Sequence, residues 1–280
     1  MSDSAPPDPS RAIGIFDSGV GGLTVVAEIW RLLPNESTIY FGDTARVPYG
    51  PKAPATVRRY AREASAFLLS RSVKLLVVAC NTATAHAADI LARELPVPVV
   101  GVIEPGARAA VRATRSGRIG VVGTVGTIAS GAYDRAVRKL LPGARVYAQA
   151  CPLFVPLVEE GLADHPATRL IAEDYLRPLC SMDVDVLVLG CTHYPVLRDL
   201  VAGIMGPGVT LVDSAAETAL DVQRILSERG LLRPDDAPPP RHHCAVSDSP
   251  ARFRQVAEVF VGTTFDTIER VDVEGYDLAA

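Results

Sequence analysis

The 280-residue sequence has few cysteines and no arrangement of them that would hold a disulfide framework or a zinc ribbon. The five are an odd number, and no two of them form a CxxC pair. A secreted disulfide scaffold needs paired cysteines in a short chain. A chain of this length buries roughly 75% of its unfolded surface and can be stable without covalent links. The sequence therefore predicts a fold held together by hydrophobic cores.

Long apolar runs and an excess of positive charge are also missing. No run approaches the roughly 18 apolar residues of a membrane span. The N-terminus, MSDSAPPDPSRA, has neither the basic nor the apolar segment of a secretion signal. The net charge is −4 with both signs interspersed, so neither a nucleic acid nor an anionic membrane is expected as a direct partner. These absences predict a cytoplasmic protein.

Short apolar segments alternate with helix-like segments from residue 12 onward. AIGIF, STIYFGD, KLLVVAC and VPVVGV each precede a helical pattern, and the series begins again at RIGVVGT. Strands that alternate with helices predict βαβ units and parallel sheets. The offset between the opening strands, at Ile13 and Ile119, is close to the offset between Cys80 and Cys191. This similarity indicates two copies of one architecture.

We therefore predict an α/β protein of two pseudo-symmetric domains with mainly parallel sheets and an active site in the cleft between them. Residues 1–11 are predicted to be a disordered tail. Residues 12–103 with 214–280 are predicted to form the first domain, and residues 104–213 the second. The Pro-rich segment RPDDAPPPRHH, residues 233–243, is predicted to be a loop.

Cys80 and Cys191 occur in matching contexts, each at the end of an apolar strand and before a predicted helix. In open parallel sheets, functional groups gather at the carboxyl ends of strands. We expect Thr82 and Thr192 to cap the helices that follow, so that the positive end of each helix dipole faces a sulfur. Such surroundings favour the thiolate. The remaining cysteines lack this context, and we interpret them as structural: Cys151, Cys180 and Cys244.

Two thiols on facing domains could place an acid/base group on each side of one carbon, as racemisation requires. A redox pair is the alternative, although redox cysteines usually share one CxxC motif. Racemisation with pyridoxal phosphate would need a lysine, and Lys52, Lys74 and Lys139 do not lie at strand ends. The HHC run at residues 242–244 lacks a fourth metal ligand at suitable spacing. We expect neither a cofactor nor a metal.

Two further residues lie close to these cysteines in the predicted architecture. Asp17, in DSGVGG, could cap a helix, orient Cys80 or accept its proton, and His193 has the same alternatives beside Cys191. The glycines of DSGVGG favour a tight turn with exposed N–H groups. The segment has neither GxGxxG spacing nor the Lys-Ser/Thr pair of a P-loop, so a nucleotide site is not favoured.

Five motifs resemble those of glutamate racemases in the cofactor-independent aspartate/glutamate racemase superfamily. In chain order they are IGIFDSGVGGLTV, YFGDTARVPYG, ACNTATA, VPLVEEG and GCTHYP, and the resemblance extends from about residue 12 to residue 273. It implies interconversion of L- and D-glutamate, which supplies D-glutamate for peptidoglycan. It also implies that Cys80 takes the proton from the D-enantiomer and Cys191 from the L-enantiomer.

The same resemblance implies which residues assist catalysis and which bind substrate. Asp17 and His193 match the family's auxiliary catalytic residues. Hydroxyls, amides and helix N-termini can hold the two carboxylates of glutamate, and a carboxylate can hold its ammonium group. The implied substrate contacts are Asp17, Ser18, Pro48, Tyr49, Gly50, Asn81, Thr82, Thr124, Thr127, Glu159, Thr192 and His193.

Two alternatives stay open. Aspartate racemases resemble the GCTHYP block but carry a carboxylate where this chain has His193, which favours glutamate as the substrate. Some glutamate racemases bind DNA gyrase and inhibit it, so an interaction role is the alternative from another class. Many members of the family form homodimers, and the resemblance implies a homodimer here.

Overall fold

A computed structural model describes residues 8–261 and 265–278, and in these residues strands and helices alternate as the sequence predicts. The strands are β1 (Ile13–Asp17), β2 (Thr38–Gly42), β3 (Leu75–Val78), β4 (Val99–Gly101), β5 (Arg118–Gly123), β6 (Arg145–Ala150), β7 (Val186–Gly190), β8 (Thr210–Val212), β9 (His242–Val246) and β10 (Thr267–Arg270). The α-helices are α1 (Leu23–Leu32), α2 (Pro54–Ser70), α3 (Asn81–Glu94), α4 (Ile103–Ala113), α5 (Val125–Ala129), α6 (Ala132–Leu140), α7 (Phe154–Glu159), α8 (Pro166–Cys180), α9 (Arg198–Met205), α10 (Ala215–Glu228) and α11 (Pro250–Val261).

The strands form two separate sheets. The first has the order β10-β9-β2-β1-β3-β4 and the second the order β6-β5-β7-β8. Every strand pair among the described residues is parallel. The order β2-β1-β3-β4 in the first sheet repeats as β6-β5-β7-β8 in the second. The predicted α/β fold with two mainly parallel sheets is therefore confirmed.

Helices cover both faces of each sheet, which explains why the central strands are almost entirely apolar, with Asp17 at the end of β1 as the exception. All residues of β1, β3 and β7 are buried. Along β1, Ile13 and Ile15 pack with α1 and α10 on one face, whereas Phe16 packs with α2 and α3 on the other. In the second sheet, one core contains residues of α4 and α6 and the other residues of α7, α8 and α9. A strand buried on both faces has a nearly continuous run of apolar residues.

The packing of two connecting helices is the basis for the domain limits that we propose. Helix α4 packs on β5 and β7 of the second sheet, whereas α10 returns to the core around α1 and β1. We propose residues 12–103 with 214–280 as the first domain and residues 104–213 as the second. Residues 262–264 and 279–280 of this first domain lie outside the described residues.

The predicted N-terminal tail is described only in part, because residues 1–7 lie outside the described residues. Residues 8–11 form a turn in which Asp8 O accepts from the backbone N–H of Arg11. The ammonium group of Lys74 donates to Pro9 O at 2.7 Å. This end of the predicted tail is therefore attached to the first sheet by a buried lysine.

The Pro-rich loop ends earlier than predicted. The interpretation of residues 233–243 as loop is wrong at His242 and His243, which begin β9 and pair with β2. Cys244, in the middle of β9, is fully buried. The short run has no clear strand pattern of its own, and its partner β2 determines its conformation. None of the described helices has the length and apolar character of a membrane-spanning segment.

Candidate active site

The carboxyl ends of corresponding strands from the two sheets meet at one cavity. Ser18 follows β1, Cys80 follows β3, Thr124 follows β5 and Cys191 follows β7, and all four line this cavity. Its volume is about 20 Å³, which is room for about one water molecule. The lining residues are Ser18, Val47, Pro48, Tyr49, Gly50, Cys80, Asn81, Thr82, Thr124, Val155, Cys191, Thr192 and His193.

Most residues that the resemblance implied for the site lie in this lining. Three do not, and they are Asp17, Thr127 and Glu159. Thr127 and Glu159 are hydrogen-bonded to lining residues, and Asp17 directly precedes the lining residue Ser18 in the chain. Two apolar lining residues, Val47 and Val155, were missed by the sequence reasoning. Both lie within the family-like motifs, but a valine carries no chemical signal that would set it apart from a core residue.

Cys80 itself caps α3. Its Sγ accepts from the backbone N–H of Ala83 at 3.5 Å, so the expectation that Thr82 caps this helix is wrong. The thiol is 6% exposed. Burial and the charge of Asp17 raise the pKa of Cys80 to about 12, although the Ala83 amide and the Ser18 hydroxyl oppose the rise. The expected preference for the thiolate is therefore reversed in this closed site, because desolvation outweighs the helix N-terminus.

Asp17 is the last residue of β1 and is completely buried. Its Oδ2 accepts from the Gly19 N–H at 2.9 Å, whereas Oδ1 makes no hydrogen bond of normal geometry with the described residues. Burial raises the pKa of Asp17, with His193 and the nearby backbone amides acting in the opposite direction. Asp17 is thus a carboxylate with spare acceptor capacity beside the Cys80 thiol.

Cys191 is linked through His193 to Glu159 by side-chain contacts. His193 Nδ1 lies 3.9 Å from Cys191 Sγ, and His193 Nε2 lies 3.0 Å from Glu159 Oε1. Burial opposes a charge on the imidazole, but the contacts with Cys191 and Glu159 prevail and raise the pKa of His193 to about 10. At neutral pH the ring is therefore an imidazolium whose two N–H groups point at the sulfur and at the carboxylate.

The helix expected after Cys191 is present as α9, Arg198–Met205, but it does not begin directly after the cysteine. A four-residue 3₁₀ helix, Tyr194–Leu197, comes between them, and no side chain caps it. Thr192 is therefore not a capping residue, and its hydroxyl lines the cavity. The two cysteines have different electrostatic surroundings: a helix N-terminus and Asp17 at Cys80, and a cationic ring at Cys191.

Three buried threonine hydroxyls join the two halves of the molecule. Thr82 Oγ1 lies 2.8 Å from Thr124 Oγ1 and 3.2 Å from Thr127 Oγ1, and the last two are 3.0 Å apart. Thr124 also caps α5, where it accepts from the Thr127 N–H. Thr82 and Thr124 of this cluster line the cavity and provide neutral hydroxyl groups at its wall.

Tyr49 turns its hydroxyl away from the cavity. The hydroxyl donates to Asp43, whose carboxylate also accepts from Arg46 and, at 2.9 Å, from the Ser247 hydroxyl. Burial raises the pKa of Tyr49 well above its usual range. The part of Tyr49 available to a ligand is therefore its ring and backbone. Gly50, the next residue, accepts through its carbonyl from the Gly126 N–H at 2.8 Å, which joins the two halves.

The glycines after Asp17 permit a close approach, and none of them has a positive φ angle. A Cβ on Gly21 would lie 2.3 Å from Thr192 Oγ1 and 2.6 Å from His193 Nδ1. The segment turns between β1 and α1, as the N–H of Leu23 donates to Val20 O and that of Thr24 to Gly21 O. Gly21 allows the loop after β1 to lie directly against the Cys191 loop.

Comparison with known proteins supports the resemblance that the motifs indicated. The sequence pattern of the Asp/Glu/hydantoin racemase family matches residues 14–221. A glutamate racemase of Geobacter metallireducens is 55% identical over 266 residues, which are 95% of this chain and 98% of that protein.

Two solved structures have the same fold over nearly their whole length. The glutamate racemase isoform RacE1 of Bacillus anthracis superposes with a TM-score of 0.90 at 43% identity, covering 94% of this chain and 97% of that one. The glutamate racemase of Francisella tularensis, solved in complex with D-glutamate, gives a TM-score of 0.89 at 37% identity, covering 96% of this chain and all of that one.

Proposed function

Because this chain belongs to the Asp/Glu/hydantoin racemase family and is a racemase, hence an isomerase, we propose that it interconverts L- and D-glutamate by two-base proton transfer. One observation carries the proposal: Cys80 and Cys191 follow corresponding strands of two similarly ordered sheets and line one cavity. A carbon held in that cavity would have one sulfur from each half of the molecule beside it.

The proposed reaction breaks the Cα–H bond on one face and forms a new one on the other. With L-glutamate, the Cys191 thiolate takes the Cα proton and the Cys80 thiol delivers its own proton to the opposite face. The electron pair of the broken bond passes through the carbanion into the new C–H bond. With D-glutamate the roles reverse. A thiol pKa of about 12 suits Cys80 as the general acid in the conversion of L- to D-glutamate, because the sulfur keeps its proton until a carbanion forms.

The auxiliary residues support opposite protonation states at the two sulfurs. The imidazolium of His193, 3.9 Å from Cys191 Sγ, would lie beside the thiolate of the base. Asp17 is the carboxylate that can bind the substrate ammonium through its spare Oδ1 and exchange protons with Cys80. Glu159 holds the imidazolium in place from behind.

The carboxylates of glutamate would bind to neutral donors in a dry site. The lining threonines, the Asn81 amide and the N-terminus of α3 all lie at the cavity, and the threonines are Thr82, Thr124 and Thr192. In a water-excluded site such donors stabilise developing negative charge more strongly than they would in water.

Substrate entry requires the two halves to separate. Glutamate has far more volume than the roughly one water molecule that this cavity of about 20 Å³ holds. We propose that opening breaks the contact between Gly126 and Gly50 and the bond between Thr124 and Thr82, and that closure around the substrate restores the dry site.

The test is racemisation followed by circular dichroism, with L-glutamate and L-aspartate in separate vessels. We expect Cys80→Ser and Cys191→Ser each to lower kcat by at least about 100-fold, the lower end of what an acid/base group contributes. Cys180→Ser, at an exposed site, is the matched control and should be fully active. Dialysed protein should be active without pyridoxal phosphate or metal. Full activity of either site variant would refute the two-base scheme, and faster turnover of aspartate would reassign the substrate.

We also propose that the D-glutamate produced supplies peptidoglycan synthesis. Depletion of this protein in its host should give a requirement for D-glutamate that the Cys80→Ser variant does not relieve. The homodimer and the binding of DNA gyrase stay predictions. A supercoiling assay with the Cys80→Ser variant tests the latter, because inhibition that persists without racemisation indicates an independent binding role.

A further inference from the structure

The oxygen of the Asn81 side-chain amide has a hydrogen-bond partner among the described residues, but the nitrogen does not. Oδ1 accepts from the hydroxyl of Tyr133 at 2.7 Å, whereas Nδ2 has no partner among the described residues. Asn81 is 3% exposed, lines the cavity and directly follows Cys80. Because buried amide N–H groups are nearly always paired, an unpaired one at a cavity indicates a ligand that accepts hydrogen bonds.

Tyr133 reaches Asn81 from the other half of the molecule. It lies on α6, which packs on the second sheet, whereas Asn81 begins α3 beside the first sheet. Two glycines leave room for its ring: a Cβ on Gly190 would lie 3.0 Å from Tyr133 Cε2, and one on Gly106 would lie 3.2 Å from its hydroxyl oxygen. Gly190 immediately precedes Cys191. The same tyrosine therefore contacts the residue before one catalytic sulfur and the residue after the other.

The tyrosine hydroxyl determines which way the amide faces. Burial and the nearby Cys191 raise the pKa of Tyr133, so the hydroxyl keeps its proton and acts as a neutral donor at working pH. Its acceptor among the described residues is Asn81 Oδ1. A flipped amide would turn Nδ2 to the tyrosine and Oδ1 to the cavity, where the oxygen would repel a carboxylate.

We propose that Tyr133 is a positioning residue for substrate binding. Its hydroxyl holds the Asn81 amide with Nδ2 toward the cavity, where Nδ2 donates to a carboxylate of the substrate. Because the bond crosses between the two halves, the amide is held in this orientation only when they are closed. This inference rests on the proposed function, since it requires a dicarboxylic amino acid in this cavity.

The test is a double-mutant cycle on racemisation kinetics in both directions. We expect Tyr133→Phe, which removes only the hydroxyl, to raise KM about tenfold and to leave kcat within about threefold, because the lost contact serves ground state and transition state alike. In the Asn81→Ala background the same substitution should change KM less than twofold. Tyr147→Phe, at a half-buried tyrosine of β6 outside the site, is the control and should have the wild-type KM.

The inference would be overturned if Tyr133→Phe raised KM by the same factor in the wild-type and Asn81→Ala backgrounds. It would also be overturned if Tyr133→Phe left KM unchanged in the wild-type background. If Tyr133→Phe does not fold, Asn81→Asp replaces it, because the aspartate keeps an acceptor for Tyr133 but loses the donor. Wild-type thermal stability with a KM raised at least tenfold supports the inference, and an unchanged KM overturns it. Calorimetric titration of D-glutamate into Cys80→Ser and into the Cys80→Ser/Tyr133→Phe double variant makes the comparison without turnover. A wild-type protein that binds glutamate but does not racemise it refutes the proposed reaction alone.

Discussion

Replacement of Gly21 by alanine tests how the two loops of the site fit together. The added Cβ would lie 2.3 Å from Thr192 Oγ1, 2.6 Å from His193 Nδ1 and 2.8 Å from His193 Cε1. A change of rotamer at Thr192 would relieve the first clash. It would not relieve the others, because the imidazole ring is held between Cys191 and Glu159.

The distances give the size of the effect. Non-bonded heavy atoms pack best at about 3.5 Å, so the ring or the loop must move by about 1 Å. A displacement of that size at a catalytic group lowers the rate about 100-fold. Overpacking of a buried site costs about 1–3 kcal/mol of stability. Each kcal/mol lost lowers Tm by ~2–4 °C in a chain of this size class. Gly21→Ala should therefore fold, melt several degrees lower and lose nearly all activity.

The measurements are kcat/KM for L- and D-glutamate and the Tm of each variant. Gly203→Ala is the matched control, because an added Cβ there meets nothing within 4 Å and the residue lies inside α9. That variant should keep wild-type activity and gain about 0.5–1 kcal/mol, because glycine is unfavourable within a helix. A Gly21→Ala enzyme with kcat/KM within threefold of the control would refute this account of the site.

Two further predictions concern buried charges. Lys74→Met should lower the free energy of unfolding by about 3–5 kcal/mol, because it leaves the buried Glu36 carboxylate without its cation; urea denaturation measures this, and a loss under 1 kcal/mol would contradict it. His193→Asn should remove a pH-dependent part of the stability. The folded pKa of His193, about 10, lies above the ordinary 6.5, so the protonated ring stabilises the folded state fully below pH 6.5 and this stabilisation is lost as pH rises toward 10. The free energy of unfolding of the wild type should therefore exceed that of the variant by the largest amount at pH 6. A difference that does not fall toward pH 10 would contradict the assignment.

Much of the architecture could be predicted because it depends on local patterns. The strands β1, β3 and β7 are buried at every position and, apart from Asp17 at the end of β1, consist of apolar residues and glycine. The helical segments between them predict parallel sheets. β9 could not be predicted in the same way. His242 and His243 follow a Pro-rich stretch, and their strand conformation depends on hydrogen bonds to β2, some 200 residues earlier in the chain.

Most of the residues that line the cavity could also be predicted, but their electrostatics could not. A strand-end cysteine followed by a helix predicts a thiolate, whereas burial and the charge of Asp17 produce the opposite at Cys80. Desolvation depends on how closely the second half of the molecule covers the sulfur. No residue near Cys80 in the chain carries that information.

The amino-acid sequence alone determined the alternation of strands and helices, the repeat of that pattern and the presence of a cysteine at the end of the same strand in each copy. These features follow from side-chain periodicity and backbone preferences, which act over a few residues. The tertiary structure decided how the halves meet: Gly21 against Thr192, Tyr133 on Asn81, and the imidazolium of His193 between Cys191 and Glu159. Apart from the contact between His193 and Cys191, each of these contacts joins residues far apart in the chain. Their energies depend on the water that packing excludes.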